Sequence, residues 1–210
     1  MTRPETDIEP LSDETRERLA NVSTATLTTQ MFKRGFRNVF LQGVSRLTGH
    51  DRSMVGPAFT LRYIPAREDL DGLEVFQNYD HPQRRAVETC PEGSVLVMDC
   101  RGDASAASAG SILVTRLMMR GVEGIVTDGG LRDSPEISEF DIPAYIGAPS
   151  APTNLIKHHA IETLNEPIAC GGVAVYPGDI MVGDEEGVCV IPRHLADEVA
   201  ADAIEQERME

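Results

Sequence analysis

One stretch near the middle of the chain limits the possible folds more than any other. It begins with the apolar run SVLVMDC (94–100), which is typical of a short buried strand. A loop of small residues, DASAASAGS, then leads into a helical pattern in which Leu113 and Leu117 lie one turn apart. We predict a helix over about 109–120 that ends at Gly121, followed by a strand over EGIVTD. Strand, helix and strand in this order form a βαβ unit, so the sequence predicts an α/β core.

Further elements flank this unit on both sides. A helical pattern opens at Ser12, whose oxygen side chain suits a helix N-terminus, and we expect it to end at Gly35. The run MVGPAFTLRYIP (54–65) predicts a strand, DIPAYIG predicts another, and GGVAVYPGDIMVGDEEGVCVIP predicts short strands separated by turns. Residues 194–210 predict a closing helix, and residues 1–10 predict a loose acidic arm. We therefore expect one α/β domain over the 210-residue chain, with helices near both ends.

The charge balance limits the partners of such a domain. The chain has 19 Lys and Arg against 34 Asp and Glu, which gives a formal net charge of −15. This negative charge argues against binding to nucleic acid or to an anionic membrane, because both attract basic surfaces. No apolar stretch is long enough to span a bilayer and the N-terminus does not resemble a signal peptide, so we expect a cytoplasmic protein. A small anionic substrate would need a local cation, for which Arg132 is a candidate.

The cysteines do not indicate a metal site. Cys90, Cys100, Cys170 and Cys189 lie far apart, and none belongs to a Cys-x-x-Cys motif. Two of them sit in apolar runs, so we predict buried, reduced thiols instead of disulfides or metal ligands.

The segment TDGGLRDSPE (127–136) sets a cation beside a carboxylate directly after a predicted strand. We expect the strand to end at the double glycine, with Arg132 and Asp133 in the turn that follows. Adjacent residues do not normally face one partner, so the pair is either an ordinary solvated turn or a site where each side chain holds a different group. The guanidinium of Arg132 suits a carboxylate, and Asp133 offers the hard oxygen that Mg²⁺ or Mn²⁺ prefers.

The small-residue loop before the predicted helix is the second candidate binding element. The N–H groups of Gly110, Ser111, Ile112 and Leu113 could face an anion at the helix N-terminus, although small residues also serve simple packing. In open α/β sheets, ligands bind beyond the carboxyl ends of the strands, so this loop and Arg132 could converge on one crevice. The glycine patterns that hold nucleotide phosphates are not present in the sequence.

Four stretches taken together resemble one known family: MVGPAFTL (54–61), AGSILVTRLMMRGVEGIVTDGGLRD (109–133), DIPAYIGAPSAP (141–152) and YPGDIMVGDEEGVCVIP (176–192). In this order they resemble the regulator of ribonuclease activity A (RraA) family, which also contains the 4-hydroxy-4-methyl-2-oxoglutarate aldolases. The resemblance implies a compact α/β fold of the swivelling β/β/α type. It also implies assembly as homotrimers or dimers of trimers, with the active site at a subunit interface.

The resemblance also implies an activity. Aldolase members use a divalent metal, usually Mg²⁺ or Mn²⁺, to cleave 4-hydroxy-2-oxo acids to pyruvate and a second oxo acid, and they decarboxylate oxaloacetate. By this resemblance Arg132 is expected to bind the substrate and stabilise the departing enolate, and Asp133 to ligate the metal. Backbone amides around Ser111 to Leu113 are expected to hold the pyruvyl carboxylate. Both reactions leave negative charge on a pyruvate enolate, which a Lewis-acidic metal and a nearby guanidinium stabilise.

The sequence departs from the aldolase pattern at one position. Aldolase members carry an acidic residue 21 positions before the motif arginine, where this chain has Ser111, whose neutral hydroxyl cannot supply the same charge. They also use a glutamate from the C-terminal helix of a neighbouring subunit, for which Glu205 is the candidate here. A second hypothesis is therefore a non-catalytic regulator that binds a protein partner, such as an RNA-degrading endonuclease.

Overall fold

A mixed β-sheet forms the centre of the molecule in the computed structural model, which describes residues 8–49 and 52–210. Its strands are β1 (Ser45–Thr48), β2 (Met54–Pro65), β3 (Val95–Asp99), β4 (Ala107–Ala109), β5 (Gly124–Leu131), β6 (Ala144–Pro149), β7 (His158–Ala160), β10 (Ile180–Gly183) and β11 (Val188–Ile191). A separate hairpin consists of β8 (Ile168–Cys170) and β9 (Val173–Val175). The helices are α1 (Asp13–Ala20), α2 (Thr24–Lys33), α3 (Pro82–Thr89), α4 (Ser111–Met119), α5 (Ser134–Ile137) and α6 (Ala196–Met209). Most of the predicted acidic arm lies outside the described residues.

The strand order confirms the predicted βαβ unit. The main path through the sheet is β1-β6-β5-β3-β2-β10-β11, with β4 paired to β5 and β7 paired to β2. β2, β3, β5 and β6 run parallel to their neighbours in the centre, while β1, β10 and β11 are antiparallel additions at the two sides. β3 and β5 are adjacent and parallel, and α4 connects them. The parallel centre therefore brings the carboxyl ends of β3 and β5 to one edge of the sheet.

Apolar side chains on both faces of the sheet form three buried clusters. One lies between the sheet and the helices α3 and α4 and includes Leu61, Val114 and Leu117. The second lies beneath α1, α2 and α6, and the third lies between the sheet and the β8–β9 hairpin. In the part of the chain that the structure describes, no helix is long and apolar enough to cross a membrane.

The N-terminal helical pattern is two helices instead of one. α1 ends before Asn21, and Ser23 begins the second helix because its side chain accepts a hydrogen bond from the N–H of Thr26. Serine favours this position over the interior of a helix, because its oxygen satisfies an N–H that has no intrahelical acceptor. The segment ends at Gly35, as predicted, with φ of 85°.

The helices near the two ends of the chain are held together by polar contacts as well as by their apolar faces. The hydroxyl of Thr15 donates to Oδ1 of Asp197 at 2.5 Å. Oε1 of Glu207 accepts hydrogen bonds from both the N–H and the hydroxyl of Ser23, at 3.0 and 2.9 Å. These contacts lower the pKa of Glu207. The first and the last helices therefore form one layer against β10 and β11.

The cysteines are buried and unpaired, as predicted. Burial raises the pKa of Cys90, Cys100 and Cys189 to about 12, and it raises the pKa of Cys170 well above its ordinary value. Thiols with such pKa values stay protonated at neutral pH and are poor nucleophiles.

Asp128 connects three segments at the carboxyl ends of β3 and β5. Its Oδ1 accepts from the N–H of Cys100 at 2.6 Å, and its Oδ2 accepts from the N–H groups of Gly102 and Gly171 at 2.9 and 3.3 Å. The side chain is 6% exposed. Burial raises the pKa of this carboxyl, and the backbone hydrogen bonds oppose that rise. Asp128 is therefore a structural clamp next to the candidate site.

Asp128→Asn tests this clamp. A carboxamide has only one oxygen acceptor, so its NH₂ group would face an N–H donor and leave at least one buried amide unpaired. We expect the free energy of unfolding to fall by about 1–3 kcal/mol, measured by urea unfolding. Asp141→Asn, at an exposed carboxylate, is the matched control and should change stability by less than about 0.5 kcal/mol. Equal stability of the two variants would show that the hydrogen bonds of Asp128 do not contribute to the free energy of unfolding.

Candidate active site

Two segments leave the sheet side by side at the carboxyl end of β5. β4 pairs in parallel with the last part of β5, so that Ala109 lies opposite Leu131. The N–H of Arg132 donates to the carbonyl oxygen of Ala109 at 3.0 Å. The N-terminus of α4 therefore lies next to Arg132 and Asp133. The structure brings together the two segments that the sequence predicted to converge.

The double glycine has a different role from the one expected. Gly129 and Gly130 lie inside β5 instead of ending it, and neither has a positive φ. A Cβ on Gly129 would lie 2.6 Å from Sγ of Cys100, and a Cβ on Gly130 would lie 2.5 Å from Cβ of Ser150. Neighbouring atoms leave no room for a Cβ at either position, which explains why both residues are glycine. The prediction that the strand ends at the double glycine was wrong. The strand continues to Leu131 and the chain turns only at Arg132 and Asp133.

Asp133 takes a left-handed backbone conformation, with φ of 58° and ψ of 29°. Aspartate and asparagine tolerate this region better than other residues with a side chain. Oδ2 of Asp133 accepts hydrogen bonds from the N–H and the hydroxyl of Ser111, at 3.2 and 3.3 Å. Oδ1 lies 3.6 Å from Nε of Arg132. Asp133 thus caps α4 from another segment with one oxygen and presents the other oxygen toward Arg132.

Gly110 allows the Arg132–Asp133 pair to approach the start of α4. A Cβ at this glycine would lie 2.6 Å from Cγ of Arg132 and 2.9 Å from Oδ2 of Asp133. The N–H of Ser111 is donated to Asp133, and the N–H of Leu113 is donated to the carbonyl of Gly110 at 3.1 Å. Two of the four expected amide donors are therefore already hydrogen-bonded within the chain. The N–H of Ile112 lies in the first turn of α4, where no intrahelical acceptor exists.

A cavity of about 330 Å³ opens beside these residues. Arg132, Asp133, Gly110, Ile112 and Leu113 line one side of it. Ala107 and Ala109 on the wall belong to the small-residue loop. The rest of the wall comes from residues that the sequence did not single out: Phe76, Gln83, Arg84, Thr153 and Asn154. No motif marked these residues, because their meeting depends on how distant segments pack. The run Gln83-Arg84-Arg85 in an acidic chain was the one local signal.

Two of the expected site residues do not line this cavity. Ser111 is 8% exposed and packs behind Asp133, to which its hydroxyl is hydrogen-bonded. Glu205 lies on α6 and lines a different recess, together with Arg18 and Arg208. Within a single chain Glu205 is therefore not part of the cavity that contains Arg132, and a contribution from a neighbouring subunit stays a prediction.

The donor set at the cavity fits a hard divalent cation better than a zinc ion. Asp133 is the single carboxylate on the cavity wall, and among the described residues no three His, Cys, Asp or Glu side chains form a metal cage. Zinc sites need three or four protein ligands, whereas Mg²⁺ usually keeps several waters and takes only one or two carboxylates plus substrate oxygens. Oδ1 of Asp133, which is not used to cap α4, is the oxygen that could hold such an ion.

The chain as a whole is similar to one protein family and to named relatives of it. The model of the RraA-like family, described as Aldolase/RraA, matches residues 19–190. A protein of Halalkalibacterium halodurans named "putative 4-hydroxy-4-methyl-2-oxoglutarate aldolase" is 31% identical over 159 residues, which cover 73% of this chain and 69% of that protein. A protein of Ectopseudomonas mendocina with the same name is 34% identical over 113 residues, covering 54% of this chain and 68% of its own length.

A solved structure shows the same fold. The crystal structure of Streptomyces coelicolor RraAS2, described as an unusual member of the RNase ES inhibitor RraA protein family, has a TM-score of 0.83 to this chain. The two chains are 30% identical, and the match covers 96% of each. The likeness includes the sheet and the helices near both ends, and it confirms the predicted swivelling β/β/α class of fold.

Proposed function

Since the chain belongs to the RraA-like family of aldolases and RraA proteins, we propose that it is a divalent-metal-dependent lyase acting on small 2-oxo acids. The reactions are retro-aldol cleavage of substrates of the 4-hydroxy-4-methyl-2-oxoglutarate type and decarboxylation of oxaloacetate. The observation that carries the proposal is the meeting of Arg132, Asp133 and the N-terminus of α4 at one cavity. This arrangement offers the guanidinium of Arg132 and the N–H of Ile112 to one small anion, and it places the carboxylate of Asp133 beside them for a metal ion.

The chain's own residues would bind the substrate and stabilise the charge that forms on it. In the cleavage, the 4-hydroxyl loses its proton, the C3–C4 bond breaks, and its electron pair moves onto C3 of the pyruvyl fragment. Protonation of C3 then gives pyruvate, and C4 becomes the carbonyl carbon of the second product. Arg132, which is half-exposed on the cavity wall, would face the oxygens on which this charge develops. The positive end of α4 would favour the pyruvyl carboxylate beside Ile112.

The metal would be Mg²⁺ or Mn²⁺, held by Oδ1 of Asp133 with water and substrate oxygens as its other ligands. When bound there, such an ion supplies Lewis-acid polarisation of the 2-oxo group. Asp133 would orient the ion, while its Oδ2 keeps the start of α4 in place through Ser111.

Exposed apolar side chains beside the cavity support a homotrimer or a dimer of trimers. Ile112, Met119 and Tyr79 are 83%, 73% and 87% exposed, and all three line a recess that adjoins the cavity. Large exposed apolar side chains that lie together are typical of a surface that another molecule covers. A neighbouring copy of this chain would close the cavity and exclude water from it.

A metal-dependent assay tests the proposal directly. Wild-type protein is incubated with oxaloacetate or 4-hydroxy-4-methyl-2-oxoglutarate and with Mg²⁺ or Mn²⁺, and pyruvate release is followed. We expect release well above the rate with metal alone, and we expect a chelator to remove it. If no substrate of this class is turned over faster than by metal alone, the lyase proposal fails.

A protein-binding regulator is the second candidate, because Ser111 replaces the acidic residue of the aldolases and because RraAS2 is described as a member of an RNase inhibitor family. Its test is a pull-down from native lysate followed by identification of the bound proteins. A stable complex with an RNA-degrading endonuclease, together with a negative lyase assay, would favour it. The absence of any stable partner would count against it.

A further inference from the structure

A second guanidinium lines the same cavity. Arg84 lies on α3 and lines the same cavity as Arg132. Among the described residues, the charged ones on the wall are thus two arginines and one aspartate, in a chain whose formal net charge is −15. Asp133 can balance only one of the two cations, and a bound divalent metal would add further positive charge. These side chains carry a net charge of +1, which a bound divalent metal would raise to +3, more than a single substrate carboxylate could compensate.

Arg84 has no acidic partner of its own in the part of the chain that the structure describes. Its Nη2 donates to the carbonyl oxygen of Phe76 at 2.6 Å, and its guanidinium lies 5.2 Å from the ring centre of Tyr79. On the same side of the molecule, Arg116 and Arg120 both approach Glu88. The contacts of Arg84 fix the direction of its side chain and leave most of its hydrogen-bond donors available to an anion.

The backbone of α3 is fixed relative to the expected pyruvyl site. The side chain of Gln83 donates to the carbonyl oxygen of Ser108 in β4, and the hydroxyl of Tyr63 donates to the same oxygen at 3.0 Å. β4 leads directly into Gly110 and the N-terminus of α4. Arg84 is therefore on a helix whose position is fixed relative to that N-terminus.

We propose that Arg84 binds the second carboxylate of the substrate, so that the cavity selects 2-oxo dicarboxylates over 2-oxo monocarboxylates. This assignment rests on the proposed function. Arg132 and the start of α4 take the pyruvyl end, and Arg84 takes the carboxylate at the far end of the molecule. Arg84 is then a specificity-determining residue. Its loss weakens the binding of dicarboxylates and leaves the binding of monocarboxylates nearly unchanged.

Binding of uncleavable ligands separates this inference from the chemistry. In isothermal titration calorimetry with Mg²⁺, wild-type protein is titrated with 2-oxoglutarate, which has two carboxylates, and with pyruvate, which has one. Arg84→Gln should raise the Kd of 2-oxoglutarate about tenfold, which is the effect of losing one charge-assisted hydrogen bond. It should raise the Kd of pyruvate less than about twofold. Pyruvate binding also shows that the variant is folded. Arg37→Gln, at an exposed arginine outside the cavity, is the matched control.

A pair of cleavable substrates gives a second measurement. 4-Hydroxy-4-methyl-2-oxopentanoate differs from 4-hydroxy-4-methyl-2-oxoglutarate by a methyl group in place of the distal carboxylate, and both release pyruvate. Arg84→Gln should lower kcat/KM for the dicarboxylate about tenfold and change that for the monocarboxylate less than about twofold. Arg84→Lys, which keeps the charge and loses the planar fork, should lie between wild type and Arg84→Gln for the dicarboxylate.

The outcomes distinguish the assignment of Arg84 from the proposed lyase activity. If wild type binds 2-oxoglutarate more tightly than pyruvate and Arg84→Gln removes this preference, the assignment of Arg84 holds even if no substrate is cleaved. If Arg84→Gln weakens both ligands equally, or if wild type has no preference, the assignment is wrong while lyase activity can still stand. If wild type binds neither ligand, both proposals are wrong.

Discussion

Arg132→Ala is expected to lower kcat/KM for pyruvate release by about 10²- to 10³-fold, which is the usual cost of removing one preorganised donor from a developing oxyanion. The side chain lies on the cavity wall and its closest ionic contact is Asp133 at 3.6 Å, so its removal leaves no buried charge without a partner. We therefore expect the thermal midpoint of unfolding to change by only a few degrees. The measurement is steady-state pyruvate release with Mg²⁺ present, for wild type and variant in parallel.

Arg37→Ala is the control for this variant, because Arg37 is exposed and lies outside the cavity. It should keep wild-type kcat/KM. Arg132→Lys should recover only part of the activity, since an ammonium cannot present two parallel N–H groups to substrate oxygens. An Arg132→Ala protein that is folded and keeps more than about half of the wild-type rate would remove Arg132 from the mechanism.

Asp133→Asn is expected to have the second large effect and to separate the two roles of this residue. Asparagine tolerates the left-handed backbone, and its side-chain oxygen can still accept the hydrogen bond from the N–H of Ser111. The cap of α4 and the fold should therefore be retained. The negative charge for a metal is lost, and we expect metal-dependent turnover to fall by at least about 100-fold, since a metal contributes several kcal/mol to charge stabilisation.

The measurement is pyruvate release as a function of Mg²⁺ or Mn²⁺ concentration, with circular dichroism to verify the fold. Asp141→Asn, which removes one carboxylate charge from an exposed position, is the matched control and should follow the wild-type curve. If Asp133→Asn shows the same metal dependence and the same rate as wild type, Asp133 serves only as the cap of α4. That result would contradict the assignment of Asp133 as the metal ligand and would require the metal to be held by other groups.

The local parts of the fold were predictable from the sequence, while the pairing of small residues was not. β3, α4 and β5 carry apolar runs and one-turn spacings, which depend only on neighbouring residues. β4 consists of Ala107, Ser108 and Ala109, which have no preference for strands, and it exists because it pairs with the end of β5. The double glycine was interpreted as a turn because glycine is the usual turn residue. It lies within a strand because Cys100 and Ser150 approach it from distant parts of the chain.

The candidate site was also predictable from the sequence only in part. Arg132, Asp133 and the 110–113 segment were identified from the order of strand, loop and helix. The contact between Asp133 and Ser111 joins two segments and has no local signal, although it explains why a hydroxyl is accommodated at that position. Arg84 was missed because its segment, between β2 and β3, has no clear periodicity and reaches the cavity only through the contact of Gln83 with β4.

The contacts of α1 and α2 with α6 determine when, during synthesis, this fold can be completed. Leu19, Leu27 and Met31 share one buried cluster with Val199 and Ala203, which are synthesised much later. β10, which pairs with the first residues of β2, also emerges late. The first two helices and one side of β2 must therefore wait for more than a hundred residues before their apolar surfaces are buried. A nascent chain paused before α6 would expose both apolar surfaces, so we expect its yield to depend on chaperones that bind during synthesis.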